Sequence, residues 1–164
     1  MLPEHRRFCR IATSVGLSLT VLASSGLMSA GAENVACDVQ IVHPKNGTNV
    51  GQSEQADGKA QKPAGTFLWL LAHRKGFAPW WPQGAGPTVP DPQTGTWSTL
   101  VFFGVPRDVN NEFEVAAIVV DKAGNDLLVK WVEDTNKSQV YVPIAMPNPV
   151  TGCTPQLVTV RKTN

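Results

Sequence analysis

Basic residues are no more abundant than acidic ones, with 14 Lys and Arg against 13 Asp and Glu. Once the N-terminal Arg6, Arg7, Arg10 and Glu4 are set aside, the net charge is about −1. No basic stripe remains, so the counterion release that drives nucleic-acid binding has no source. Histidine is scarce too: beyond the N-terminal segment only His43 and His73 occur, and there is no Gly-x-Ser-x-Gly elbow. A hydrolytic site needs a nucleophile, a base and an orienting group, and no such set is visible. Cysteine is limited to Cys9, Cys37 and Cys153. Neither of the last two has a Cys or His at ligand spacing, and no His follows Cys153, which removes the cluster of a blue-copper centre. We therefore expect no catalytic residues, no metal and no cofactor. No apolar run after the first 32 residues is long enough to span a bilayer, and no 20 to 50 residue period marks a solenoid.

What is present begins with an export signal. Arg6, Arg7 and Arg10 precede an apolar run from Ile11 to about Met28, and Ala30-Gly31-Ala32 supplies small residues for cleavage. Residues 1–32 are predicted to be a cleaved signal peptide and 33–164 a single domain starting at Glu33. Ser, Thr and Gly within the run weaken the alternative of an uncleaved membrane anchor. Asn34-Val35-Ala36 before Cys37 lacks the Leu-like residue of a lipidation signal. The product is expected to be secreted or periplasmic. In such a compartment Cys37 and Cys153 form one predicted disulfide, the alternative being two buried thiols in a reducing environment.

Period-2 patterning dominates the rest. Val35, Cys37, Val39 and Ile41 share one side of a strand. Pro44-Lys45-Asn46-Gly47 then turns the chain, and Asn46-Gly47-Thr48, which matches a glycosylation acceptor, reads as part of that turn. Residues 52–62 are polar and suggest an edge strand or irregular segment. Phe67, Trp69, Leu71 and His73 oppose Leu68, Leu70 and Ala72, so both faces are apolar and the strand should be central. Pro79, Pro82, Pro87, Pro90 and Pro92 make 76–95 a stiff loop. Further strands are expected at Trp97–Val105, Glu112–Asp121 and Gln156–Lys162. Between the last two, Leu127, Leu128, Trp131 and Val132 recur at helical spacing, with a strand as competitor. Asn125 or Asp126 would be the N-cap, a cheaper account of the acidic 121–126 stretch than a Ca²⁺ site. The pattern predicts a mainly β fold class, an antiparallel β-sandwich with one short helix before the last strand.

Phe77, Trp80 and Trp81, with Arg74 beside them, are the candidate ligand-binding residues. Adjacent tryptophans in an extended backbone cannot both point inward, so one is expected to cap the core and the other to be partly exposed. Exposed rings on a stiff loop suit sugar-binding and protein-binding surfaces, and Arg74 and Lys75 can add cation–π contacts. The alternative is a loop that merely seals one end of the sandwich. A metal site on His43 and His73 would need their strands to be neighbours and a further ligand.

The chain resembles secreted bacterial immunoglobulin-like domains. The likeness runs through Val39-x-Ile41-x-x-Pro44-x-x-Gly47, Leu68-Trp69-Leu70-Leu71, Trp81-Pro82-Gln83-Gly84, Gly95-Thr96-Trp97, Phe103-Gly104, Phe113-x-Val115-x-Ala117 and Val158-Thr159-Val160-Arg161-Lys162. It implies an immunoglobulin-like antiparallel β-sandwich and carries no activity. These features together point to a non-enzymatic binding or structural module whose partner is a protein or glycan.

Overall fold

The computed structural model describes residues 36–164; the expected signal peptide and its cleavage site lie outside them. Eight strands and one helix follow in the order β1 (Asp38–His43), β2 (Asn49–Val50), β3 (Ser53–Gln61), β4 (Phe67–Arg74), β5 (Trp81–Pro82), β6 (Thr96–Phe102), β7 (Glu112–Val120), α1 (Lys122–Ser138) and β8 (Gln156–Lys162). They form a three-stranded sheet, β1-β3-β6, and a five-stranded sheet, β2-β8-β7-β4-β5. All pairings are antiparallel except that of the two-residue β2 with β8, so the sheets are not purely antiparallel as expected.

The inner faces of the two sheets share one apolar cluster. Val39 and Ile41 of β1, Ala56 of β3, and Trp97 and Val101 of β6 meet Leu68, Leu70 and Ala72 of β4, Val115 and Ala117 of β7, and Val158 and Val160 of β8. The other face of β4 and β7 builds a second cluster, in which Trp69, Leu71, Ala116, Ile118 and Val120 pack with Leu128 of α1 and with Trp80. This is why β4 and β7 are apolar on both sides: sheet covers one face and helix and loop the other.

Polar 53–61 is a full strand in the middle of its sheet, paired with β1 on one side and β6 on the other, and not an edge. Its inward face carries Ala56, Gly58 and Ala60 because Trp97 needs that space. A Cβ built on Gly58 falls 2.5 Å from the Trp97 ring and overlaps the Gln40 carbonyl oxygen. The small residues complement a large one on the neighbouring strand, which periodicity within 53–61 alone does not reveal.

The helix is longer than expected and starts earlier. Asp121 is the N-cap, its carboxylate accepting from Gly124 N–H at 2.8 Å. Asn125 and Asp126, the expected caps, do other things. Asn125 is buried and its Oδ1 accepts the Trp69 indole N–H at 3.0 Å, while Asp126 pairs with Lys122. Gln139 ends the helix in the left-handed region at φ 55°.

Cys37 and Cys153 are disulfide-bonded, tying the start of β1 to the segment that enters β8. Beside the bridge, Gln156 Oε1 accepts from Ile41 N–H and so also joins the two sheets. Lys162 is fully buried at the end of β8. Its ammonium donates to Val105 O at 2.7 Å, and its backbone bonds Asn110 and Asn111, which pins the 105–111 connection. Among the described residues no helix is long and apolar enough to cross a membrane.

Candidate functional site

The chain leaves β4 through Arg74-Lys75-Gly76, where Gly76 takes φ +89°, open to glycine and strained for other residues. Phe77 N–H closes this turn on Arg74 O at 3.1 Å. The turn presents Phe77 at 51% exposure, with the Arg74 guanidinium 4.9 Å from its ring centroid. Arg74 also lies 3.8 Å from Asp108. The base of the turn is fixed by His73, whose Nδ1 donates to Phe77 O at 2.5 Å and whose Nε2 sits 2.8 Å from Glu114 Oε2.

The two tryptophans part as an extended backbone requires. Trp80 turns inward, is 7% exposed, and stacks on His73 with ring centroids 3.6 Å apart. Its backbone exchanges two hydrogen bonds with Ile144, at 2.7 and 2.8 Å. Trp81 is half-buried and its indole N–H donates to Tyr141 O at 3.0 Å. Trp131 of α1 donates in the same way to Val142 O at 2.6 Å. The two indoles thus clamp adjacent carbonyls and hold Val140, Tyr141 and Val142 in the open, each 58–60% exposed. Tyr141 meets Trp131 edge to face.

Of the four candidate ligand-binding residues, Phe77 and Arg74 stand together at an exposed tip, Trp81 is part of an adjoining surface, and Trp80 belongs to the core. The exposed Val140-Tyr141-Val142 run was missed by sequence reasoning. Its signal is an apolar run around the one Tyr of the chain, just before Pro143.

The rest of the loop spans the two sheets. Gln83 N–H donates to Leu70 O and Thr88 N–H to Leu68 O, both at 2.8 Å, along the edge of β4. Gln83 Oε1 accepts Phe102 N–H at 2.9 Å, and the Thr88 and Thr99 hydroxyls lie 2.7 Å apart, so the same segment also grips β6. At its far end Asp91 accepts from Gln93 N–H, Thr94 N–H and the Thr94 hydroxyl. These bonds, those of Thr94 foremost, hold the Asp91 carboxyl below its usual range. A carboxyl lowered in the folded state contributes stability that is present above the ordinary aspartate value of about 3.9 and is lost as pH falls through the lowered one. The 91–96 turn is therefore expected to stay closed at pH 4 and to open only in stronger acid. Amide shifts of Thr94 and Gly95 followed through an acid titration check this; a transition at the ordinary aspartate value, or one unchanged in Asp91→Asn, would count against it.

His43 and His73 lie in different sheets and so do not form the neighbouring pair that a shared metal site requires. His43 faces Asp57 and His73 faces Glu114; among the described residues neither has a hydroxyl or thiol as a hydrogen-bond partner. Asn46 lies in the turn after β1 and ties it to β8, its Oδ1 accepting from Thr159 N–H at 2.8 Å. No protein-family model matches this chain, and no curated protein is similar to it in sequence.

Proposed function

We propose that the chain is an exported immunoglobulin-like β-sandwich that acts as a non-enzymatic binding module of the bacterial envelope or extracellular space, with a protein or glycan as its partner. The observation that carries the reading is the Phe77–Arg74 tip: an exposed ring under a guanidinium, on a turn locked from below by His73 and Trp80. A preordered aromatic offers contact area at small entropic cost. Naming β1, β3, β4, β5, β6, β7 and β8 as A, B, C, C′, E, F and G turns the observed orders into A-B-E and β2-G-F-C-C′, with the two-residue β2 added beside G, which supports the immunoglobulin-like assignment. The bonded Cys pair and the N-terminal apolar segment support export. The glycan form of this reading shifts from Trp80 to Trp81 and Tyr141, since the Trp80 ring is occupied by His73.

The test separates the contact surface from the core. Phe77→Ala is expected to weaken binding to envelope proteins or to a glycan panel at least about tenfold, the effect of losing about 1.4 kcal/mol at an aromatic anchor. It should leave the unfolding midpoint within about 0.5 kcal/mol of the parent. Trp80→Ala should instead cost about 3 kcal/mol of stability or more, since the ring is buried and stacked on His73. Equal retention of every component by the parent and Phe77→Ala chains would refute the assignment of the tip.

A further inference from the structure

We propose that a second site, the groove between the outer face of β1 and β3 and the 87–95 segment, binds a neutral stretch of oligosaccharide. The groove is open to solvent, has a volume of about 790 Å³ and shares no lining residue with the Phe77 tip. That volume falls in the range of small-molecule sites, about 300–1,000 Å³.

One wall is stiff. Pro87, Pro90 and Pro92 fix their own backbone, Asp91 gathers three hydrogen bonds, and Gly95 O accepts Ala60 N–H at 2.8 Å. On this wall Val89 is 82% exposed, the highest value among the large apolar side chains described. Phe67 lines the same groove at the start of β4. The opposite wall is polar by register: Asp38 stands across from Gln61 and Gln40 across from Lys59, so all four lie on one face. Lys59 has no ion-pair partner among the described residues.

This lining chooses among ligand classes. Lys59 and Lys62 are matched by Asp38 and Asp91, so the groove has no net charge with which to attract a polyanion or an acidic peptide. An extended peptide would also find no backbone ladder on β3, which is paired along both edges. A sugar fits better. Each hydroxyl both donates and accepts; Gln40 Nε2 already donates to Asp38 Oδ2 at 3.0 Å, and the Gln40 amide oxygen, the Gln61 carboxamide, the second Asp38 oxygen and the Lys59 ammonium can answer a sugar together. The C–H faces of the ring would lie against Val89 and Phe67. The preformed wall leaves little ordering to be done on binding.

The probes are maltotetraose, cellotetraose and chitotetraose, titrated into the nitrogen-15-labelled chain. Saturable shifts are expected at the Gln40 and Gln61 side-chain amides and at the Val89 and Gly95 backbone amides with at least one of the three. Gln61→Ala and Val89→Asp, both at exposed positions, should each weaken that binding about tenfold with the unfolding midpoint unchanged. The proposal is overturned by an absence of shifts with all three sugars on the order of 10 mM, by undiminished binding to Val89→Asp, or by tighter binding of an acidic tetrasaccharide or a proline-rich peptide. Failure of the Phe77 test leaves this site standing, and the reverse also holds.

Discussion

Replacing Cys37 and Cys153 together with alanine is expected to lower the stability of the fold by about 4 to 5 kcal/mol. The bonded pair is 116 residues apart in sequence, and the chain-entropy model assigns about 4.7 kcal/mol to a loop of about 100 residues, an upper limit where the open chain keeps residual structure. The location adds to the effect. β1 is an outer strand held along one edge by β3 alone, and the disulfide and the Gln156–Ile41 bond fasten its beginning to the other sheet. Cys153 is buried and Cys37 packs against the same cluster, so alanine is preferred to serine, which would bury an unpaired hydroxyl. At about 3 °C per kcal/mol for a domain of this size, the midpoint should fall by roughly 12–15 °C. Thermal unfolding of parent and double variant measures it. A midpoint within about 3 °C of the parent, or two titratable thiols in the native protein, would sink the prediction.

Strands β4, β6, β7 and β8 were legible in the sequence because burial on a sheet writes itself as period 2, and the division of Trp80 from Trp81 follows from the same geometry. The disulfide was legible from the count of cysteines taken together with the predicted export signal. What was hidden depends on partners distant in sequence. The inner face of β3 is small because Trp97 fills the space, and nothing within 53–61 announces that. Asn125 looks like a helix cap until its amide is seen under the Trp69 indole. Lys162 ends an alternating strand as a surface residue would, yet its ammonium is buried against Val105 O. The two-sheet grip of Gln83 and Thr88 also escaped, since a proline-rich stretch reads as loop whether or not its remaining N–H groups find an edge. In the candidate site, Phe77 and Arg74 are adjacent through one turn and were within reach of sequence. Tyr141 is brought to Trp81 and Trp131 by the return of the chain after α1. The groove is assembled from three separate segments, and no local pattern anticipates it.

Gly58→Val is expected to cost about 4 kcal/mol or more, which places it among the rare substitutions of largest effect. Gly58 sits mid-strand between Ile41 of β1 and Trp97 of β6, and its φ is not in the left-handed region, so backbone conformation is not the reason for glycine. Space is the reason. A single Cβ would overlap the Gln40 carbonyl oxygen and lie 2.5 Å from the Trp97 ring. A flexible side chain could yield, but the carbonyl belongs to a paired strand and the indole is 3% exposed inside the shared cluster. Overpacking of a core by side chains usually costs about 1–3 kcal/mol; here a backbone atom is one of the obstacles, and two added methyls worsen the overlap. Where Gly58→Val fails to fold, Gly58→Ala carries the test, with a loss of about 3 kcal/mol. Combining it with Trp97→Leu separates the two obstacles: the ring's share should be recovered as a coupling of about 1 kcal/mol, while the share due to Gln40 stays. Chemical denaturation of the four chains of this cycle gives the answer. A Gly58→Ala variant as stable as the parent would mean that β3 does not lie between β1 and Trp97 as described, and the packing of the three-stranded sheet would have to be redrawn.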